Sequence, residues 1–365
     1  MARVAIRCLA LAVVVSFATP GTAAAEPYLA VFKGMQCSSC HSHPGGGGMR
    51  NNYGNVFAQN ELANARLGAE QAPLWTGQVV DRLAIGGNLR AEYRYVDTPD
   101  AESASAFDVA RASVYLQAYL VPGRLSIYVD QQLAPGSSLN REAYVRVDGV
   151  KRKFFAAAGQ FFLPFGLRLQ DDTAFVRLVT GVNFTVPDRG LQVGYESGPW
   201  SSLFSVTNGS GGGAETDRGK QVSIMTTYVR PGWRAGASYN TNDSDFGDRQ
   251  MQNIFLGLRT GPIAWLAEID LITDQPVSDV EQNALAGLIE ANWLLRRGHN
   301  LKLSYEYLDP DDDISEDQRV RYSVLWEYTP MQFLQARMGA RLYDGIPQVA
   351  AQNRNEIFIE FHAFF

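Results

Sequence analysis

From about residue 77 to residue 365 the chain alternates apolar and polar residues in segments of roughly ten, each bounded by turn-forming residues. In residues 88–95, Leu89, Ala91, Tyr93 and Tyr95 fall on one face of an extended chain and Asn88, Arg90, Glu92 and Arg94 on the other. Residues 319–328 repeat the pattern with Val320, Tyr322, Val324, Trp326 and Tyr328, and residues 335–342 with Ala336, Met338, Ala340 and Leu342. Counted from Arg82, the alternation predicts about sixteen strands. Their connections also alternate, in length. The tight ones hold Val121-Pro122-Gly123, Asp148-Gly149, Ser197-Gly198-Pro199, Arg230-Pro231-Gly232, Thr260-Gly261-Pro262, Arg296-Arg297-Gly298 and Thr329-Pro330. Between them fall long acidic or glycine-rich stretches at 98–106, 165–188, 209–219, 243–248, 274–279, 309–317 and 344–353.

A soluble antiparallel sandwich also alternates, but its turns carry no such order of length. Short periplasmic turns and long outer loops mark a transmembrane barrel. The expected fold is all-β: a transmembrane antiparallel β-barrel of about sixteen strands over residues 77–365, with a short segment of different texture ahead of it. An even strand number puts both barrel ends on the periplasmic side. In the last segment Ile357, Ile359, Phe361, Ala363 and Phe365 share one face, and Glu356, Phe358, Glu360, His362 and Phe364 face the lumen. Alternation up to a terminal aromatic resembles the closing strand of bacterial outer-membrane proteins. Residues 159–166 with 188–194 resemble a strand and following loop of phosphate-selective-type porins.

Residues 1–25 read as a secretory signal peptide. Arg3 and Arg7 precede an apolar run over 8–17, a Pro20-Gly21 breaker and the small residues Thr22-Ala23-Ala24-Ala25. The run is too short to span a bilayer as a helix, and no other run is longer, so any membrane crossing is left to strands. Cys8 leaves with the signal, and the expected mature chain keeps Cys37 and Cys40. Three cysteines make no disulfide scaffold. With 32 basic against 38 acidic residues and no basic run, nucleic acid is excluded as a partner held by counterion release. An aromatic content of 11% suits the aromatic belts of a membrane barrel.

Residues 26–76 have another texture, rich in glycine and asparagine, and hold both remaining cysteines and two of the four histidines. Cys37-Ser38-Ser39-Cys40-His41 is a C-x-x-C-H motif. Two thiols one turn apart reach the two vinyl groups of a haem, and the next residue brings an imidazole to the iron. A thioredoxin-like pair needs a βαβ setting and a zinc half-site needs a second cysteine pair; the sequence has neither. Residues 26–76 are thus expected to be a monohaem cytochrome c segment carrying one covalent haem c on Cys37, Cys40 and His41. The sixth iron position stays open between Met49, beyond the glycine run 45–48, His362, facing the lumen at the periplasmic end, and a vacant or water-bound iron. His43 is too close to His41 to reach the opposite haem face, and His299 at a tight turn is expected in solvent.

About fifty residues cannot both wrap a haem and build a core. The barrel is expected to supply the missing walls, with the segment as a plug in its lumen. Inward-facing Arg90, Arg94, Arg111, Arg146, Arg321, Arg337 and Arg341, interleaved with Glu92, Glu306, Glu327 and Glu360, either pair with haem propionates or the plug, or form an ordinary charged lining. Acidic outer loops with Asp243, Asp245, Asp248, Asp309, Asp311, Asp312 and Asp313 either gather hard cations or keep the loops soluble. No hydrolytic constellation stands out.

Pro27 with Phe32, Gly34, the motif 37–41, Pro44 and Tyr53-Gly54-Asn55-Val56-Phe57 resemble the head of the fused outer-membrane monohaem cytochrome–porins of iron-oxidising bacteria. Here Gly45 to Gly48 with Met49 replaces that family's usual Leu-Thr-Pro stretch, and the chain is shorter. The resemblance implies an outer-membrane iron:cytochrome c oxidoreductase with lipid around the barrel and the haem in the lumen or at its periplasmic mouth. Electrons from extracellular Fe(II), or another donor, would pass to a periplasmic cytochrome or copper protein. The alternative is a porin for anions or small solutes with a haem-bearing plug.

Overall fold

The structure, a computed structural model, describes residues 26–68, 72–136, 138–182, 186–277 and 280–365. The expected signal peptide at 1–25 lies outside them. The alternating segments become strands β1 Gln78–Val80, β2 Leu83–Asp97, β3 Ala104–Val121, β4 Leu125–Ala134, β5 Leu139–Asp148, β6 Phe154–Phe161, β7 Asp188–Ser197, β8 Trp200–Thr207 and β9 Gln221–Arg230. They continue with β10 Trp233–Ser244, β11 Gly247–Thr260, β12 Ile263–Pro276, β13 Gln282–Arg296, β14 His299–Asp309, β15 Arg319–Met331, β16 Leu334–Asp344 and β17 Asn355–Phe364. All seventeen belong to one sheet. The short β1 lies against β2, and the other sixteen pair antiparallel in chain order until β17 returns to β2, with Ile359 opposite Tyr93 and His362 opposite Arg90. Closure leaves the ring without an edge, which is the condition for a sheet to cross lipid.

The burial pattern gives each face its medium. Leu89, Tyr322, Val324, Met338, Ile357 and Phe361 point outward and are exposed, whereas Glu356, Phe358, Glu360, His362 and Phe364 are buried in the lumen. Five tryptophans, Trp200, Trp233, Trp265, Trp293 and Trp326, stand near the tight turns; Trp200 and Trp233 flank Tyr228 with ring centroids 4.6 and 5.2 Å away. Such a girdle marks a membrane–water interface.

Two turn expectations need correction. The chain does not reverse at Thr329-Pro330. β15 runs to Met331, and the tip is Gln332-Phe333, with Phe333 at φ 69°. The ladder is irregular between Tyr328 and Met331, where a proline costs no paired N–H. Nor is 243–248 a long loop: β10 and β11 stay paired out to Ser244 and Gly247. Beyond the membrane a strand has water on both faces, so its sequence loses the contrast that identifies it.

Residues 26–62 form the plug. Helix α1, Pro27–Lys33, starts on a proline whose missing N–H costs nothing there. It ends at Gly34 in the left-handed region, φ 63°, where a Cβ would stand 2.4 Å from the Pro231 nitrogen. A short 3-10 turn, Cys37–Ser39, follows, and then helix α2, Asn52–Phe57, which runs into a π-turn over Ala58–Leu62. The plug is fastened at the tight-turn end. Gly232 N–H donates to Val31 O at 2.9 Å, Gln36 bonds the Pro199 carbonyl, Arg297 Nε donates to Ala63 O at 2.6 Å, and Asn64 N–H donates to Thr329 O at 2.8 Å. Tyr28, Val31, Phe32, Phe57 and Leu62 share one core with the wall residues Leu203, Met225, Phe255 and Leu266.

The described part of the long connection after β6, residues 162–182, folds into the lumen and carries helix α3, Phe175–Leu178. Ion pairs hold it: the buried Arg177 to Glu268 at 2.5 Å, the partly buried Asp171 to Arg321 and to Arg341 at 3.0 Å each, and Asp172 to Arg111.

Candidate functional site

The C-x-x-C-H residues form a single tight turn. Cys40 N–H and His41 N–H both donate to Cys37 O, at 3.1 and 3.0 Å. Asn51 caps α2 by accepting from Gly54 N–H at 2.9 Å and donates from Nδ2 to Ser38 O and Ser39 O at 3.0 and 3.1 Å, so one side chain ties the helix to the turn. Gly46, at φ 90°, lies where a Cβ would come 3.3 Å from the Cys37 Cβ. The two thiols are free and partly buried. Burial, with Cys37 alongside, pushes the Cys40 thiol up to about 11. His41 is buried; desolvation, with Arg50 and Arg168 nearby, takes its imidazole down to about 3. A neutral imidazole is the form that can ligate a metal.

Cys37, Cys40 and His41 border a space of about 950 Å³ between plug and barrel wall, part of it open to solvent. Leu29, Ala30, Phe57 and Leu62 line it from the plug, Ser201, Met225, Thr227 and Arg234 from β8, β9 and β10, and Gly166 and Arg168 from the inner loop. Apolar walls and basic groups fit a planar apolar macrocycle with two carboxylates. Arg50 lies over the Phe364 ring at 4.2 Å and Arg234 over the Phe255 ring at 5.1 Å. Neither forms an ion pair with a carboxylate among the described residues, and Arg234 Nε is buried without a partner.

Met49 does not line this space. It is 1% exposed, in a wall cluster with Ala84, Tyr115, Tyr128, Tyr144 and Phe161, and its N–H donates to Tyr128 Oη at 3.1 Å. The glycine run turns the chain back, so that Ser42 N–H reaches Met49 O and His41 bridges to Arg50, and this hairpin aims Met49 at the wall. His362 is buried beside Gln335, 3.3 Å away, and borders a second space that His41, Arg50 and Arg168 share, with Arg90 and Arg111 behind. His41, Gly47, Arg50 and Arg168 border both spaces. His43 is held by Arg168 at 2.9 Å and faces Glu142 at 3.5 Å. His299 is not in solvent: its ring stacks on Tyr328 and Trp326, centroids 4.3 and 5.7 Å apart, because β14 begins at that residue and seats it in the girdle.

Most lumen arginines are engaged elsewhere. Arg321 pairs with Glu306 and Asp171, Arg337 with Glu360 and Glu327, Arg341 with Glu356 and Asp171, and Arg146 with Asp148. The vestibule beyond the inner loop is lined by five arginines and five carboxylates, so its fixed charge is balanced. In the outer loops Asp311, Asp312 and Asp313 bring carboxylate oxygens within 4.8 Å of one another. Sequence reasoning did not single out Arg168, Arg234 or Met225. The last two occupy inward strand positions like any other, and only the plug's placement distinguishes them.

No protein-family model and no curated protein sequence matches the chain. Solved structures do. A loop L8 deletion mutant of OmpT, an outer-membrane protein of Vibrio cholerae, superposes with TM-score 0.62 at 12% identity, over 78% of this chain and 99% of that one. An anion-selective porin from Comamonas acidovorans superposes with TM-score 0.61 at 10% identity, over 78% and 99%. OprB of Pseudomonas putida gives TM-score 0.61 at 9% identity, over 78% and 94%. The barrel has the fold of outer-membrane porins.

Proposed function

We propose that the chain carries electrons across the bacterial outer membrane through one c-type haem held between its plug and its porin-like wall. The observation that carries this reading is the bordering of one space between plug and barrel wall by Cys37, Cys40 and His41. The residues present fit the group. The two thiols would anchor it as thioethers, the neutral His41 would offer a ring nitrogen, and Arg50 and Arg234 would face its propionates. Bound haem supplies reversible one-electron chemistry at iron. The inner loop lines the site through Gly166 and Arg168, and α1 and the C-x-x-C-H turn would hold the haem toward the tight-turn, periplasmic mouth, within reach of a soluble cytochrome or copper protein. The resemblance of residues 27–57 to cytochrome–porins supports extracellular Fe(II) as donor.

Stopped-flow mixing of the detergent-purified holoprotein with Fe(II) tests this: the haem bands become reduced within minutes. A haem that stays oxidised removes Fe(II) as donor, and a colourless protein from cells competent in cytochrome c maturation removes the haem reading. The porin fold and the anion-selective porin among the similar structures favour a second reading, solute transport past a haem-bearing plug. Planar-bilayer conductance separates the two, since a plugged conduit is nearly closed and a transporter passes ions. The balanced charge of the vestibule argues against strong anion selectivity.

A further inference from the structure

Neither Met49 nor His362 borders the space that Cys37 and Cys40 face, so an axial ligand opposite His41 must come from elsewhere. His41 bounds that space on the side of β2, β3 and β17, whose Arg90, Arg111 and His362 lie behind it across the second space. β9 stands six to eight strands away from these three in a ring of sixteen, the opposite side of the barrel. Its inward residues at this depth are Met225 and Thr227, and both border the space. Met225 is 8% exposed, between Leu203 of β8 and Ser238 of β10. A thioether is one of the few side chains that ligate haem iron opposite histidine. Met35 also borders the space, but it precedes Cys37 by two residues and its sulfur accepts from Tyr53 Oη at 3.6 Å.

We infer that Met225, a residue of the barrel wall, is the second axial ligand of the haem carried by the plug. This rests on the haem reading above and deepens it. The iron then joins two parts of the molecule that the backbone connects only through β1 and β2, and the reduction potential depends on how the plug is seated. A Met ligand raises that potential, which suits a haem that must take electrons from a weak reductant.

The test uses the full-length holoprotein in detergent, with Met225→Leu, Met225→His and Met35→Leu variants, haem staining on denaturing gels, and absorption and magnetic circular dichroism spectra. Haem staining reports covalent attachment independently of the sixth ligand, so its absence in the wild type refutes the haem reading and not the assignment of Met225. The wild type shows a low-spin spectrum with the near-infrared band of Met-ligated ferric haem. Met225→Leu loses that band and turns high-spin while keeping full haem stain. Met225→His returns to low spin without the band and at a lower potential. A band that persists in Met225→Leu, disappears in Met35→Leu, or is missing from a high-spin wild type overturns the assignment.

Discussion

Single side chains divide into those that face the plug's cavity and those that only share its neighbourhood. Met49 is the clearest case, since its sequence position favours iron and its structural position favours packing. Met49→Ala is expected to leave the haem spectrum unchanged while lowering unfolding stability by about 2–5 kcal/mol, the cost of a cavity in an aromatic cluster; heat-dependent gel mobility and absorption spectra check both halves. The C-x-x-C-H residues were legible because their chemistry depends on contiguous spacing. Arg234 and Met225 were not, because an inward strand position comes to border this space only through what the rest of the chain places opposite it. His299 was misjudged for a related reason: proximity to a turn implies water only where no girdle surrounds the turn.

At the level of elements, α2 and the inner loop set the site's precision. A Cβ on Gly54 would stand 2.1 Å from the Cys40 carbonyl oxygen, so Gly54→Ala forces α2 and the motif turn apart. Haem stain per unit of folded protein is expected to fall severalfold. Asp171 fastens the inner loop. Burial works to raise its pKa, but Arg341 and Arg321 outweigh it and hold the carboxyl well below its ordinary 3.8. A carboxyl depressed in the folded state contributes stability that is complete above its ordinary value and lost as pH falls through the lower one. Bilayer conductance is therefore expected to stay low at neutral pH and to rise as pH drops below about 4, with Asp171→Asn open already at neutral pH. A pH-independent conductance would show that the loop is held by other contacts. The strands were read from period two almost throughout. The exceptions, 243–248 and Thr329-Pro330, lie where the strand leaves lipid or the ladder is irregular, and there the sequence carries no medium-dependent contrast.

The whole molecule is a closed cylinder stopped from the tight-turn side by its own amino-terminal segment. Arg297 Nε and Nη2 hold the plug through Ala63 O and Asn60 O at 2.6 and 2.5 Å. Arg297→Ala is expected to raise single-channel conductance and opening frequency without changing haem stain; an unchanged conductance would place the seal deeper, at the inner loop. Closure itself followed from the alternation, the ordered turn lengths and an even number of strands, since these are local patterns and lipid admits no sheet with an open edge. The C-x-x-C-H spacing of Cys37, Cys40 and His41, on which the haem proposal rests, is equally local. Which groups surround the motif was not, because residues from β8, β9, β10 and the inner loop lie over a hundred positions from it and converge on it only when the ring closes around the plug. Long-range convergence of this kind depends on strand register and loop insertion, and neither leaves a mark on residues whose alternation would look the same around an empty barrel.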